Sequence, residues 1–192
     1  MNYWFTADYH LGHFNIIKYC ERPFKSLEDM NNTIIRKHNE RVKKEDTVFH
    51  LGDFCFRNSN NIGEGIKVKA IDWESQLNGK IIHIKGNHDR NNSTKTIIES
   101  MIITHCGKRI KLVHRPPEGL VFNEFDCIFV GHVHQNWKYK RIKTQFDYID
   151  LINVGVDVWN FMPHTLEEIM KDYHRKFIHK KGESDGKDLQ SM

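Results

Sequence analysis

Short apolar runs of strand length recur along the chain: Tyr3 to Ala7, Thr47 to Leu51, Lys80 to Ile84, Met101 to Thr104, Ile110 to Val113, Asp126 to Val130 and Tyr148 to Val154. Between several of them the spacing of apolar residues changes to that of an amphipathic helix. From Ser26 to about Lys44, the residues Leu27, Met30, Ile34, Ile35 and Val42 repeat at helical intervals. Ser26 is placed to cap this helix, with Asp29 three positions on in a near capping box. A second helix is predicted from Ile62 to Leu77, stopped by Asn78-Gly79. A third starts at Thr165, with Glu168 as its capping-box partner, and runs to about Phe177. Trp137 to Ile142 and Phe146 to Ile152 alternate on either side of a polar turn, which predicts a β-hairpin. Strands alternating with helices predict an α/β layered fold, and the hairpin makes it more than a run of βαβ units.

At 192 residues the chain makes one domain with a sizeable core, here taken as residues 1–179. From Lys180 onward it is polar and charged, so 180–192 is expected to be a disordered tail. No apolar stretch approaches the roughly 18 to 20 residues that span a bilayer, and no partner in a membrane is expected. The N-terminus Met1-Asn2-Tyr3-Trp4-Phe5 lacks a basic region followed by a long apolar run, so the expected compartment is the cytoplasm. The formal charge of +4 permits a polyanionic partner without requiring one. Among Cys20, Cys55, Cys106 and Cys127 there is no C-x-x-C pair, and reduced, mostly structural thiols are expected. Cys127 lies within an apolar run and reads as core; Cys55, two residues past Asp53, could support the site. Thirteen histidines raise the prior for a metal site, since histidine is the commonest metal ligand.

The chemistry lies in where these histidines and the acids fall. Asp8-Tyr9-His10, Gly52-Asp53, Gly86-Asn87-His88-Asp89 and Gly131-His132-Val133-His134 each follow an apolar run, and His114 ends one. One edge of a sheet would then present Asp, Asn and His toward a common point. Residues two apart in an extended chain share a face, so Asp8 with His10, and His132 with His134, can reach one centre. Asp53 has two oxygens and can bridge two cations; Asn87 adds a neutral oxygen. This mixed N and O set without thiolate suits Mn²⁺, with Fe or Zn²⁺ as alternatives. Two such ions would share a water, lower its pKa and hold the attacking and leaving oxygens of an in-line displacement. His88, beside Asn87, is the candidate to protonate the leaving oxygen.

In this order, Asp-x-His, Gly-Asp, Gly-Asn-His-Asp, His and Gly-His-x-His resemble the signature of the calcineurin-like metallophosphoesterases. The stretches Asp8 to Ile17, Arg22-Pro23-Phe24 and Leu151 to Asp157 are similar to small bacterial and phage-type members. The resemblance covers roughly residues 1 to 170 and implies a two-sheet α/β sandwich flanked by helices, with a dimetal site at the strand ends. It implies that Asp8, His10, Asp53 and His134 hold one ion, that Asp53, Asn87, His114 and His132 hold the second, and that His88 acts on the substrate.

The expected activity is hydrolysis of phosphate esters through attack by a metal-bridged hydroxide. Little chain remains for a capping domain, which favours open-site diester or nucleotide substrates. The loops Phe54 to Gly65 and Arg115 to Phe125 are the expected walls. His13, Arg57 and Arg90 are candidate phosphate contacts. Alternatives are a nuclease with the same centre, a phosphomonoesterase or nucleotidase, and a non-enzymatic scaffold. Only the basic stretch Lys138 to Lys143, with Trp137 and Tyr139, speaks for nucleic acid, and it equally reads as the solvated face of a hairpin.

Overall fold

The computed structural model describes residues 1–56, 68–89, 98–118 and 124–184, with side chains described as far as residue 177. Two mixed sheets face each other. The first has the order β3-β2-β1-β9 and the second β4-β5-β6-β8-β7. In the first, β1 (Tyr3–Thr6), β2 (Thr47–His50) and β3 (Lys80–His83) run parallel, and the short β9 (His164–Thr165) closes the edge antiparallel. In the second, β5 (Lys108–Val113), β6 (Cys127–Val130) and β8 (Tyr148–Asn153) run parallel, while β4 (Ser100–His105) and β7 (Tyr139–Lys143) pair antiparallel at its edges. The expected hairpin is β7–β8.

The apolar runs become strands because their side chains have somewhere to go on both faces. Cys127 and Phe129 of β6 face the core between the sheets, which also holds Phe5, Phe49, Leu51, Ile84, Leu112 and Ile152. Phe5 makes the join: it stacks on Phe49 at 5.5 Å and meets Phe129 edge-on at 5.0 Å. Ile128 and Val130, on the opposite face of β6, pack with Ile149 and Leu151. A second core of Tyr9, Leu11, Ile16, Met30, Ile34 and Phe54 seats the helices α1 (Phe14–Tyr19) and α2 (Leu27–Arg41). Ser26 caps α2 by accepting the amide of Asp29. The Asp29 carboxylate in return accepts the amide of Lys25, one residue before the cap.

Two helices depart from expectation. The helix predicted over Ile62 to Leu77 is described only as α3 (Ala70–Glu74), and Val68 and Lys69 are not helical. Asp72 turns back to accept the Lys69 amide, which fixes a helix start there. Beyond Glu74, Ser75 and Gln76 donate side-chain bonds to the Asp72 carbonyl and tighten the last turn. The final helix, α4 (Leu166–Ser184), begins at the predicted Thr165–Glu168 box but continues beyond Phe177 into the segment expected to be a tail. Lysine and glutamate, which recur at Lys180, Lys181 and Glu183, are good helix formers, and a nucleated helix propagates readily through them. Residues 185–192 lie outside the described ones.

Parallel strands deliver their C-terminal ends to one edge, and here both sheets do so on the same side. The loops beyond β1 and β2 stay stitched together past the strand ends: Asp8 N donates to Gly52 O and His10 N to Asp53 O, each at 3.0 Å. The two sheets meet through the Ala7–Gly155 bridge. No helix among the described residues is long and apolar enough to cross a membrane.

Candidate metal centre

Each strand of this edge contributes a short turn that carries a polar side chain inward. Asp8 and His10 follow β1, Asp53 follows β2, Asn87 and His88 follow β3, His114 follows β5, and His132 and His134 follow β6. Asp8, His10, Asp53 and His114 are nearly inaccessible, Asn87, His132 and His134 are half-buried, and His88 is exposed. The side chains gather into two groups whose ligand atoms lie within 4.8 Å of one another: Asp8, His10 and His134, and Asp53, His114 and His132. Asn87 joins the second, with its Oδ1 3.0 Å from His114 Nε2. Asp53 stands between the groups, its Oδ2 3.6 Å from His10 Nε2 and 3.3 Å from His114 Nε2.

The approach is close enough to require glycine. A Cβ on Gly86 would fall 2.2 Å from Asp53 Oδ1, and one on Gly155 would fall 2.7 Å from Asp8 Oδ2.

The ligand side chains are oriented by partners behind them. His114 Nδ1 donates to the Leu51 carbonyl at 2.7 Å, and His134 Nδ1 lies 2.8 Å from Asp157 Oδ2. Each ring thereby keeps its Nε2 for the centre. Asp157 is held in turn by Arg22, whose Nε and second terminal nitrogen donate to its two oxygens at 2.8 and 3.0 Å. The same guanidinium donates to the carbonyls of Asp8 at 2.7 Å and Tyr9 at 3.0 Å, fixing the turn that carries Asp8 and His10. Asp89 accepts the amides of Asp53, Phe54 and Gly86. It builds the Asp53 turn. Asn153 donates to the carbonyls of His134 and Trp137 and accepts the Gly155 amide.

Burial and charge pull against each other at this edge. Burial pushes the Asp8 carboxyl up to about 6 against the opposing pull of His114 and His134. Burial disfavours the charged imidazoles, yet the bond to Asp53 and the charges of Asp8 and Asp53 lift His114 to about 9. Burial likewise opposes His134, but Asp157, Cys20 and Asp8 lift it to about 10. Protons held this way mark a place where a divalent cation would displace them. His10 behaves differently: burial and the nearby cationic groups hold it well below its usual value. Its buried Nε2 has no hydrogen-bond partner. An unpartnered imidazole nitrogen beside two carboxylates, within a set of N and O donors, fits a divalent metal ion.

Two depressions open from the centre. One, of about 370 Å³, is lined by His10, His13, Ile16, Tyr19, Cys20 and His88, together with His134, Gln135 and Asn136. The other, of about 600 Å³, is lined by Lys85, Gly86, Asn87, Glu99, Val113, His114 and Arg115. His13 precedes α1 without a side-chain capping bond, stacks on Phe56 at 4.4 Å and places Nδ1 3.4 Å from that of His10. Burial, then His88 and Arg22, bring it down to about 4, so it is neutral near pH 7. Burial, His114 and Arg115 lower His132.

The structure thus brings all seven sequence-predicted ligands, His88 and His13 to one edge. Arg57 and Arg90 lie outside the described residues. The basic hairpin is largely engaged: Arg141 pairs with Asp150 at 2.8 Å, and Lys138 pairs with Asp172 at 2.7 Å and sits 3.5 Å over the Trp159 ring. Cys127 is in the core between the sheets, and Cys55 packs in the helix-side core. Arg22, Asn153, Asp157 and Cys20 join the site without a role expected from the sequence, although Asn153-Val154-Gly155-Val156-Asp157 follows an apolar run, like the other clusters.

Comparison with known proteins shows the family and the fold. A model of the calcineurin-like phosphoesterase superfamily domain matches residues 1–160. The uncharacterized protein MJ1445 of Methanocaldococcus jannaschii is 36% identical over 167 residues, which cover 86% of this chain and 87% of that protein. The gene 66 protein of Mycobacterium phage L5 is 33% identical over 88 residues, 46% of this chain and 40% of its own. Among solved structures, the protein of unknown function AQ665 from Aquifex aeolicus superposes with a TM-score of 0.64 at 27% identity, covering 88% of this chain and 97% of that one.

Proposed function

The chain belongs to the calcineurin-like phosphoesterase superfamily, and on that premise we propose that it is a dinuclear metal-dependent phosphoesterase that favours diesters. The observation that carries this reading is Asp53, one carboxylate within 3.6 Å of His10 and 3.3 Å of His114, the two sides of a split ligand set. Asp8, His10, Asp53 and His134 would hold one ion; Asp53, Asn87, His114 and His132 would hold the other. When bound, two divalent ions, Mn²⁺ first among them, supply Lewis acidity: they acidify water and neutralise charge developing on the phosphoryl oxygens.

The side chains do the rest. His88 is exposed at the mouth, 5.5 Å from His10 between ring centres, where it can donate a proton to the leaving oxygen. Its own amide donates to Asp53 Oδ1 at 2.9 Å, so the turn that carries the acid is tied to the carboxylate shared by the two ligand groups. Neutral His13 can offer an N–H to a phosphoryl oxygen. The paired depressions support a diester: one ester arm can lie on each side of the centre. A small phosphoester or nucleotide is the partner this geometry accepts.

The test measures Mn²⁺ stoichiometry and turnover of bis(p-nitrophenyl) phosphate against p-nitrophenyl phosphate. Asp53→Asn should fold, bind fewer ions and lose at least about a hundredfold in kcat/KM. His88→Ala should keep both ions and lose about 10² to 10⁴ in kcat. Parental turnover by Asp53→Asn would sink the reading.

A further inference from the structure

The larger depression is charged in a way that the hydrolysis of a simple diester does not require. Arg115 directly follows the candidate ligand His114, is exposed, and lines the 600 Å³ depression with Asn87 and His114. Among the described residues it has no hydrogen-bond, ion-pair or ring partner, in contrast to Arg22, Arg41, Arg109 and Arg141. A second cation, Lys85, lines the same wall, with Nζ 3.3 Å from Glu99 Oε1 and therefore half-committed. The opposite depression differs in chemistry. It offers imidazoles, the thiol of Cys20, the ring of Tyr19, which is 67% exposed, and the amides of Gln135 and Asn136.

An arginine with its planar fork unused, one residue from a phosphoryl-binding centre, matches a second phosphate on the substrate. We propose that Arg115, with Lys85 behind it, binds a further phosphate carried by the ester arm that lies across the Asn87–His114 side. The preferred substrate is then a phosphodiester with a second phosphate on one arm, as in a phosphorylated nucleotide ester or an oligonucleotide. This rests on the phosphoesterase reading for its chemistry, but the anion site stands on Arg115 alone.

The experiment compares two chromogenic esters that differ by one phosphate: thymidine 5′-(p-nitrophenyl phosphate) and the same compound with a 3′-phosphate, each with Mn²⁺ at low salt. The parent should show kcat/KM about tenfold higher for the 3′-phosphorylated ester, a preference that fades with added salt. Arg115→Gln should bring the ratio near one, Arg115→Glu should invert it, and Arg115→Lys should keep part of it. Equal kcat/KM for the two esters in the parent, or a parental ratio in Arg115→Gln, overturns the proposal. Turnover of a tetrathymidylate as well would assign the phosphate to a nucleic-acid strand, and turnover of the nucleotide ester alone would assign it to a small nucleotide. If neither ester is hydrolysed, the phosphoesterase reading fails. Calorimetry with thymidine 3′,5′-bisphosphate against thymidine 5′-monophosphate then decides the anion site by itself: tighter binding of the bisphosphate that Arg115→Gln removes supports it, and equal affinities overturn it.

Discussion

Asp8, His10, Asp53, His132 and His134 hold φ angles of 60°, 52°, 56°, 70° and 45°. Left-handed backbone costs an L-residue roughly 1–2 kcal/mol, and Asp, Asn and His tolerate it better than most. Five such residues at one edge need an external brace. Arg22 supplies part of it, through the carbonyls of Asp8 and Tyr9 and both oxygens of Asp157. Lysine at this position keeps the charge but offers a point donor instead of a fork. Arg22→Lys should therefore fold and weaken Mn²⁺ binding about 10- to 100-fold at the group of Asp8, His10 and His134, with a smaller effect on the other group. Titration calorimetry resolves this; parental affinity for both ions would mean the brace is dispensable.

At the scale of elements, α2 carries a pH-sensitive joint. His38 is fully buried, with Nδ1 2.8 Å from the Tyr9 hydroxyl and Nε2 2.8 Å from the Asn78 carbonyl. The neutral ring satisfies both, accepting from Tyr9 and donating to Asn78. Burial brings His38 down to about 4, against the weaker pull of the Asn78 carbonyl. The folded value lies below the unfolded one, so the contribution is complete above about pH 6.5 and lost as pH falls from there toward 4. That interval corresponds to about 3 kcal/mol. Urea unfolding at pH 7 and pH 4 should show the parent losing about 3 kcal/mol more than His38→Gln. An identical loss in both would place acid sensitivity elsewhere, for instance at the equally buried His50. The strands themselves are legible in the chain because parallel strands buried on both faces read as unbroken apolar runs. The two-residue β9 and the partition of strands between sheets are not, since pairing partners leave no local pattern. The ligands are legible because each follows such a run. The roles of Arg22 and Asp89 are not, because Arg22 acts through Asp157 and the Asp8 and Tyr9 carbonyls, and Asp89 through the Asp53, Phe54 and Gly86 amides, groups distant in sequence or silent in it.

For the whole molecule, the decisive fact is that each ligand group draws on both sheets. Asp8 and His10 come from the first and His134 from the second; Asp53 comes from the first and His114 and His132 from the second. Bound ions would thus tie the sheets together, and binding to the folded state alone adds about 2.7 kcal/mol at a hundred times Kd. For a chain of 192 residues, removing Mn²⁺ with a chelator should lower Tm by about 5–10 °C. Asp53→Asn should show less than half of that shift. A Tm indifferent to both Mn²⁺ and chelator in the parent would refute a metal that bridges the sheets. The Ala7–Gly155 bridge extends the point to biosynthesis. The N-terminal strand that bears Asp8 and His10 closes against residues around Gly155, and His134 takes its orientation from Asp157. A chain ending before Gly155 would carry every candidate ligand but lack the Ala7–Gly155 bridge and the Asp157 partner of His134, so metal capture would come late in synthesis.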